Sequence, residues 1–369
     1  MVGMATATHS VTNGRRGTLP ATMKAAVYRG VNDVRLEEVP VPTIGAGEVL
    51  IKVDTCGICG TDLKKIHTGS HSAPRIFGHE TSGTIAAVGE GVTRFAEGDR
   101  VMVFHHIPCG HCYYCRHKVF AQCEVYKKVG ATAGFEPSGG GFAEYVRAMD
   151  WIVEGGVVKI PDGVSFEQAA FVEPVNTCLK GIRSLNLERD ETVLVIGQGP
   201  IGIILSVLAQ REGAKVIGSD LYPQRLVISN GYGINETIDA SKTDVVAHVK
   251  SVTEGRGADT TILAVGGNAL IRTAMDATRP GGKVMLFAQT QRSEATIDPA
   301  SVCVDEKILM GSYSASVDIQ DETADFVFHG GVDLSKLISH RFSLNDSVAG
   351  IELASHPQPE SMKIVIQNR

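Results

Sequence analysis

Half of the cysteines in this 369-residue chain lie in one short segment, CGHCYYCRHKVFAQC. Their spacing allows a single loop to wrap one ion and to place four thiolates at the corners of a tetrahedron, as a zinc site requires. Disulfides, the alternative, suit small secreted domains, and a chain of this length does not fit that class. Four cysteines leave no open coordination position, so we expect a structural zinc here and the chemistry elsewhere. The predicted ligands are Cys109, Cys112, Cys115 and Cys123.

A second set of metal-binding residue types precedes this segment. DTCGICGTD offers Cys56 or Cys59, FGHETSG offers His79 and Glu80, and FVEPVNT offers Glu173. One thiol, one imidazole and carboxylates form a mixed set with room for water or substrate, which is typical of catalytic zinc. The spacing alone does not choose between the two cysteines. A core histidine packed beside a buried thiol is the alternative interpretation.

The segment ETVLVIGQGPIGIILSVLAQREGAKVIGSD has the pattern of a strand, a glycine-rich turn, a helix, a second strand and an acid. In a dinucleotide-binding unit the glycines allow a tight turn and close approach of the pyrophosphate, which lies at the helix N-terminus. Asp220 suits the ribose hydroxyls and would repel a 2′-phosphate, so NAD is favoured over NADP. Arg225 is expected to flank the adenine. The predicted cofactor-binding residues are Gly197, Gly199, Pro200, Ile201, Gly202, Asp220, Arg225, Val265 and Gly266.

Further apolar runs at 260–267, 281–289 and 307–314 continue the alternation of strands and helices. A doubly wound parallel sheet requires this alternation. Gly266 and Gly267 are predicted to end the first of these strands, at the carboxyl edge of the sheet where ligands bind.

The composition is that of a globular protein, with 43% hydrophobic residues, 21% charged residues and a net charge of −6. No basic run indicates a nucleic-acid partner. No apolar segment reaches the roughly 18 residues of a membrane span, so no membrane partner is expected. Residues 1–22 are small and polar and are predicted to form a disordered tail. A cytoplasmic location is the expectation.

Three motifs together resemble the zinc-dependent medium-chain alcohol and polyol dehydrogenases: GHETSGTIAAVGEGV, the four-cysteine lobe and GQGPIG. The resemblance implies an α/β protein with a GroES-like, mostly β catalytic domain at 23–175, which carries the structural zinc lobe at 105–124. A Rossmann NAD-binding domain should follow at 176–316, and the chain should return to the catalytic domain at 317–369. The resemblance also implies Cys59 rather than Cys56 as the zinc ligand, and a homodimer or homotetramer.

Finer features resemble the sorbitol- and threonine-type members of the family. Glu173 stands where the polyol enzymes carry glutamate, as a zinc ligand or as the carboxylate that holds a zinc-bound water; a helix-start carboxylate is the alternative. Glu80 is implied as a direct ligand or as a neighbour that exchanges with that water. HIPCGHC resembles the run in threonine dehydrogenases whose histidine, here His106, lines the substrate pocket. One departure is Lys64, which replaces a histidine of the usual proton exit.

We therefore expect a dehydrogenase with one catalytic and one structural zinc, which transfers hydride between a secondary alcohol and NAD. The substrate would be a small molecule: a polyol, sugar alcohol, cyclitol or amino alcohol. Thr61 is expected to accept the hydroxyl proton and Asp62 to orient His79, with His105 and His106 at the pocket mouth; surface histidines are the alternative. The rival functions are a threonine-3-dehydrogenase-like enzyme and a non-catalytic NAD-binding scaffold or sensor.

Overall fold

The computed structural model describes residues 19–104, 106–125, 131–135, 139–288 and 294–368. The predicted tail, apart from its last four residues, and His105 therefore lie outside the described residues. The first part of the chain is mostly β. Strands β1 to β9 are Thr22–Gly30, Asp33–Pro40, Val49–Gly57, Arg75–Ile76, Glu80–Val88, Arg100–Val103, Ala131–Thr132, Tyr145–Ala148 and Val157–Lys159. Helices α1 to α5 are Gly60–Thr68, Tyr113–Arg116, Asp150–Gly155, Phe166–Ala169 and Val172–Leu185.

The middle of the chain alternates strands and helices, and the end adds two strands. Strands β10 to β15 are Thr192–Ile196, Lys215–Asp220, Glu236–Asp239, Ala258–Leu263, Thr278–Leu286 and Ile308–Gly311. Helices α6 to α10 are Pro200–Arg211, Pro223–Gly231, Val245–Val252, Asn268–Ala277 and Pro299–Cys303. The last elements are α11 Gln320–His329, β16 Ile338–Ser343, α12 Ser347–Ser355 and β17 Lys363–Gln367, with short 3-10 turns between them.

A mixed sheet places the end of the chain beside its beginning. Its strands follow the order β16-β17-β3-β5-β6-β9, and β8 also pairs with β3. β3 is antiparallel to both of its neighbours β5 and β17. In this register Gly57, at the end of β3, lies opposite Glu80 of β5 on one side and Val365 of β17 on the other. Residues from three distant segments therefore meet at the end of β3.

The second sheet consists, in the described ranges, of parallel strands in the order β12-β11-β10-β13-β14-β15. Numbered within the sheet, this order is 3-2-1-4-5-6, the order of dinucleotide-binding folds. The order reverses beside β10, so the ligand crevice lies at the carboxyl end of β10, where the chain turns into α6. The prediction of a mostly β unit joined to a doubly wound parallel sheet is confirmed.

One hydrophobic cluster joins the two sheets. Its buried members include Met102 and Val365 from the mixed sheet, Val193 from the parallel sheet and Val175 from α5. A helix that contributes apolar residues to such a cluster packs between the layers and loses its freedom to move. Glu173, in the first turn of α5, is therefore fixed at the junction of the two sheets.

The strands end earlier than the apolar runs. β13 stops at Leu263, so Gly266 and Gly267 lie in the following loop and the prediction that they end the strand is wrong. Gly267 instead precedes α9 as its N-cap, with φ 149°. Apolar residues can continue beyond the last residue of a strand when the following loop packs against a neighbouring segment. Hydrophobicity therefore does not show where the backbone hydrogen bonds of the strand stop. Among the described residues, no helix is long and apolar enough to cross a membrane.

Candidate active site and metal centres

The mixed metal-binding set assembles at the end of β3. Cys59 is the N-cap of α1, directly after β3, while His79 and Glu80 lie where β5 begins. One possible ligand atom from each of these side chains lies within 4.8 Å of the others. His79 and Glu80 are buried and Cys59 is half-buried. A thiol, an imidazole and a carboxylate at this separation can hold one zinc ion and leave a position for a further ligand.

Hydrogen bonds fix the orientation of the His79 ring. Asp62 Oδ1 lies 3.0 Å from His79 Nδ1, and Asp62 Oδ2 accepts a hydrogen bond of 3.3 Å from the Cys59 backbone N–H. Thr61 Oγ1 lies 3.2 Å from His79 Nε2. Burial lowers the pKa of the His79 imidazole, but the nearby Asp62 and Cys59 raise it by more. The pKa of metal-free His79 is therefore raised overall. Because Nδ1 is paired with Asp62, the other ring nitrogen, Nε2, which lies next to Thr61, is the one available to bind a metal.

A buried lysine accompanies Glu80. Lys363, the first residue of β17, forms an ion pair with Glu80 Oε2 and donates a hydrogen bond of 3.1 Å to the Ile58 carbonyl. The two side chains are 9% and 1% exposed. Burial lowers the pKa of Lys363, yet the Glu80 charge reverses the effect and the pKa is raised overall. Sequence reasoning missed Lys363, because a single lysine ahead of the apolar run IVI carries no motif.

Glu173 lies beside this set without belonging to it. Its carboxylate is 7% exposed, and burial raises its pKa to about 7, against the opposing influence of His79. Among the described residues the group of mutually close ligand atoms contains Cys59, His79 and Glu80 but not Glu173. A buried carboxyl with a raised pKa can hold or release a proton near neutral pH.

Residues of the metal set and of the glycine-rich turn line one cleft. The cleft has a volume of about 240 Å³. Its lining includes Cys59, Glu80 and Lys363, which lie in or next to the mixed sheet. It also includes Pro200 of α6 and Arg225 of α7, the helices that follow β10 and β11 of the parallel sheet. A cofactor bound at the turn can therefore reach the metal set without a rearrangement of the fold.

The glycine-rich turn has the geometry that its sequence predicts. Gly197 has φ 94°, a left-handed conformation that favours glycine. A Cβ at Gly202 would lie 1.8 Å from the Gly197 carbonyl oxygen, so only glycine fits there. Gly199 is the N-cap of α6 and Pro200 its first residue, so the free N–H groups of the helix face the cleft that Ile201 also lines.

Asp220 ends β11 next to this turn. Its two carboxylate oxygens accept backbone hydrogen bonds of 2.7 Å from Gln198 and 2.9 Å from Tyr222. Arg225 lies 3.9 Å from Asp220 and over the Tyr222 ring, and donates a hydrogen bond of 3.2 Å to the Ser361 carbonyl. These contacts place both predicted residues next to the glycine-rich turn, and Arg225 also lines the cleft.

Val265 and Gly266 follow the end of β13 and are exposed. The side chain of Val265 lies against the turn, 3.0 Å from the position of a Cβ at Gly197. Val265 thus lies next to the glycine-rich turn, and Gly266 follows it in the loop between β13 and α9.

The four thiols of the lobe converge on one point. One ligand atom from each lies within 4.8 Å of the others, and none forms a disulfide. Backbone N–H groups lower the pKa of Cys112 to about 6, while burial raises that of Cys115 to about 12. Neighbouring thiols cannot all ionise without a cation, because the charges repel each other. A zinc ion among Cys109, Cys112, Cys115 and Cys123 would allow all four to be thiolates.

The mixed set passes the same test. Cys59, His79 and Glu80 offer a thiol, an imidazole and a carboxylate whose ligand atoms lie within 4.8 Å of one another. Zinc takes ligands of these three types, so the residues fit a zinc ion here.

Two other residues of interest lie outside the cleft lining. His106 is half-buried in the segment after β6. Lys64 is exposed on α1. Neither is among the residues that line the cleft in the described part of the chain.

Comparison with known proteins gives a consistent result. The alcohol dehydrogenase GroES-like domain matches residues 45–162, and the zinc-binding dehydrogenase model matches residues 200–328. Sorbitol dehydrogenase of Bacillus subtilis is 30% identical over 355 residues, which are 95% of this chain and 98% of that protein. L-threonine 3-dehydrogenase of Rhizobium etli is 35% identical over 341 residues, 90% of this chain and 95% of that protein. The crystal structure of 2R,3R-butanediol dehydrogenase from Bacillus subtilis has a TM-score of 0.82 and 30% identity, and the match covers 94% of this chain and all of that one.

The fold and the site therefore define a dehydrogenase that combines a metal centre with a dinucleotide crevice. The chain belongs to the zinc-dependent medium-chain dehydrogenases. It is a zinc-dependent oxidoreductase of alcohols that uses a nicotinamide cofactor.

Proposed function

We propose that this enzyme oxidises a secondary hydroxyl group of a polyol, sugar alcohol, cyclitol or amino alcohol with NAD. The observation that carries the proposal is the shared cleft, in which Cys59 and Glu80 face the cofactor turn at Pro200. Zinc supplies Lewis acidity that lowers the pKa of a hydroxyl, and the nicotinamide accepts the hydride. The chain supplies the geometry that brings the reacting groups together.

Each polar side chain of the site has a distinct part in this proposal. His79 and Cys59 are metal ligands with Glu80 or Glu173 as the carboxylate, and Asp62 holds the His79 ring in place. Thr61 Oγ1 lies 3.2 Å from His79 Nε2, where it would accept a hydrogen bond from a hydroxyl bound at the same spot and take that proton while it passes its own to water. With Lys64 exposed on α1 in place of the usual histidine, we assign the next step of the proton exit to water.

A threonine-type dehydrogenase is the second candidate. The 35% identity to L-threonine 3-dehydrogenase of Rhizobium etli and the run HIPCGHC favour it. In both candidates we place His106 near the substrate, where an imidazole can hydrogen-bond a second polar group. A scaffold without activity is disfavoured, since an open metal set has no use in it.

We propose NAD rather than NADP as the cofactor. The Asp220 carboxylate at the ribose end would repel a 2′-phosphate. Arg225 could neutralise such a phosphate, but its guanidinium already contacts Asp220 at 3.9 Å and the Ser361 carbonyl at 3.2 Å. A kcat/KM for NADP equal to that for NAD would contradict this assignment.

We also propose a homo-oligomer in the cytoplasm. β15 is an edge strand of the parallel sheet in the described ranges; its first residue Ile308 is 51% exposed, and Val304, which precedes the strand, is 74% exposed. A flat apolar edge favours pairing with a second copy. The division at 23–175, 176–316 and 317–369 remains the proposed domain organisation, and sedimentation would measure the oligomeric state.

A screen of NADH formation tests the proposed function. The purified enzyme is assayed with polyols, sugars, inositol-like compounds, amino alcohols including threonine, and primary alkanols. We expect the highest kcat/KM among the polyols or amino alcohols, and best turnover of threonine would select the second candidate. Cys59→Ser should abolish turnover and spare NADH binding. Superior turnover of primary alkanols, or full activity of Cys59→Ser, would refute the proposal.

A further inference from the structure

Lys363 is a buried cation at the metal set, and the mechanism above gives it no part. Its side chain is 9% exposed and pairs with Glu80 Oε2, while its ammonium group also donates to the Ile58 carbonyl. A buried cation is costly unless it is paired, so this contact is a strong determinant of where the Glu80 carboxylate points.

Gly57 makes this contact possible. It lies on β3 between Glu80 of β5 and Val365 of β17, in the antiparallel register of both pairs. A Cβ at Gly57 would lie 1.9 Å from Glu80 Oε2 and 2.7 Å from Lys363 Cε. The missing side chain therefore opens the gap through which Lys363 reaches across the sheet to Glu80.

The carboxylate of Glu80 thus lies between Lys363 and the position that a metal held by Cys59 and His79 would take. One of its oxygens lies within 4.8 Å of ligand atoms of Cys59 and His79, and Oε2 lies against Lys363. A cation that holds a carboxylate competes with a metal for the same oxygen atoms.

We propose that Lys363 is a positioning residue that competes with the metal for Glu80 and so keeps one coordination position open for the substrate hydroxyl. The inference rests on the proposed function, because it requires that the mixed set of Cys59, His79 and Glu80 binds zinc. It also explains why a lysine, whose desolvation is unfavourable, begins a strand and is followed there by three apolar residues. Without Lys363, Glu80 turns fully to the metal as a fourth ligand beside Cys59, His79 and Glu173, and the centre becomes closed.

The test is metal binding by the full-length protein, measured by titration against a chelator and by the visible spectrum of the cobalt(II) form. Lys363→Met should raise zinc affinity at the mixed set about 10- to 100-fold, the range seen for partners of metal ligands. It should also change the cobalt spectrum toward that of a more fully coordinated ion. The four-cysteine lobe is the internal reference, because its affinity should not change.

Two further variants separate the proposed role from a general effect of charge. Lys65→Met removes a cation that lies 4.0 Å from Asp62 rather than next to Glu80, and should leave the cobalt spectrum unchanged. The Lys363→Met change is also made in the Glu80→Gln variant. The gain in zinc affinity that it causes there should be at least about tenfold smaller than the gain in the native background.

The conservative variant Lys363→Arg should bind zinc as the native protein does, and thermal unfolding shows whether each variant is folded. Zinc affinity that is unchanged or weaker in Lys363→Met, or an equal gain with Gln at position 80, would overturn the inference. Because each readout is metal binding, a failed substrate screen would not affect this result, and a failed metal test would not affect the screen.

Discussion

Replacing Gly57 with alanine should disrupt the metal set from a position that touches no substrate. The new Cβ would lie 1.9 Å from Glu80 Oε2, 3.0 Å from Glu80 Cδ and 2.7 Å from Lys363 Cε. Contacts below 3.0 Å are not tolerated, so the carboxylate and the lysine must both move. Both side chains are buried, so each can move only toward the cleft that they line, which breaks their present contact.

Overpacking a core costs about 1–3 kcal/mol. Complete loss of one partner from a buried ion pair costs about 3–5 kcal/mol, and here the pair is displaced rather than removed. We therefore expect the Gly57→Ala change to destabilise the protein by about 2–4 kcal/mol. At about 2–4 °C per kcal/mol, Tm should fall by roughly 4–16 °C.

Calorimetry and zinc analysis check the prediction together. Zinc should be lost from the mixed set and retained by the four-cysteine lobe. The control is Gly30→Ala, because a Cβ at Gly30 would have nothing within 4 Å. The reasoning is refuted if the two alanine variants have the same Tm and the same zinc content.

Three further predictions concern the cofactor turn, the metal set and the lobe. Gly202→Ala should abolish NADH binding, measured by fluorescence titration, and leave zinc content unchanged, because its Cβ would lie 1.8 Å from the Gly197 oxygen. Asp62→Asn should weaken zinc binding at neutral pH about 10- to 100-fold. Since Asp62 raises the pKa of metal-free His79 against the effect of burial, protons should displace zinc from the native protein as pH falls through that raised pKa, and less steeply from the variant. Cys115→Ser should lose the lobe zinc and lower Tm while the cobalt spectrum of the mixed set persists; loss of both metals would contradict separate sites.

Local chemistry made the dinucleotide turn and the zinc lobe predictable. Gly197 and Gly202 are set by backbone sterics within one short turn, and the four lobe cysteines lie close together in the chain. The end of β13 was not predictable in the same way. Val265 packs against the turn without extending the strand, so its hydrophobicity was misleading.

Long-range pairing decided the surroundings of the catalytic metal set. Cys59 and His79 could be named from their residue types and the family resemblance, but their separation depends on the register of β3 with β5. Lys363 carried no signal, because only the pairing of β17 with β3 brings the end of the chain to Glu80.

Features that depend on residues near one another in the chain could be recognised from residue types and spacing: the four-cysteine lobe, the glycine-rich turn and the alternation of strands that builds a parallel sheet. The contact between Glu80 and a lysine, the burial of Glu173 with a pKa of about 7, and the cleft lined from both parts of the fold depend on how distant segments pack. The physical reason is that burial and charge pairing depend on neighbours in space, and strand register determines which distant residues become neighbours.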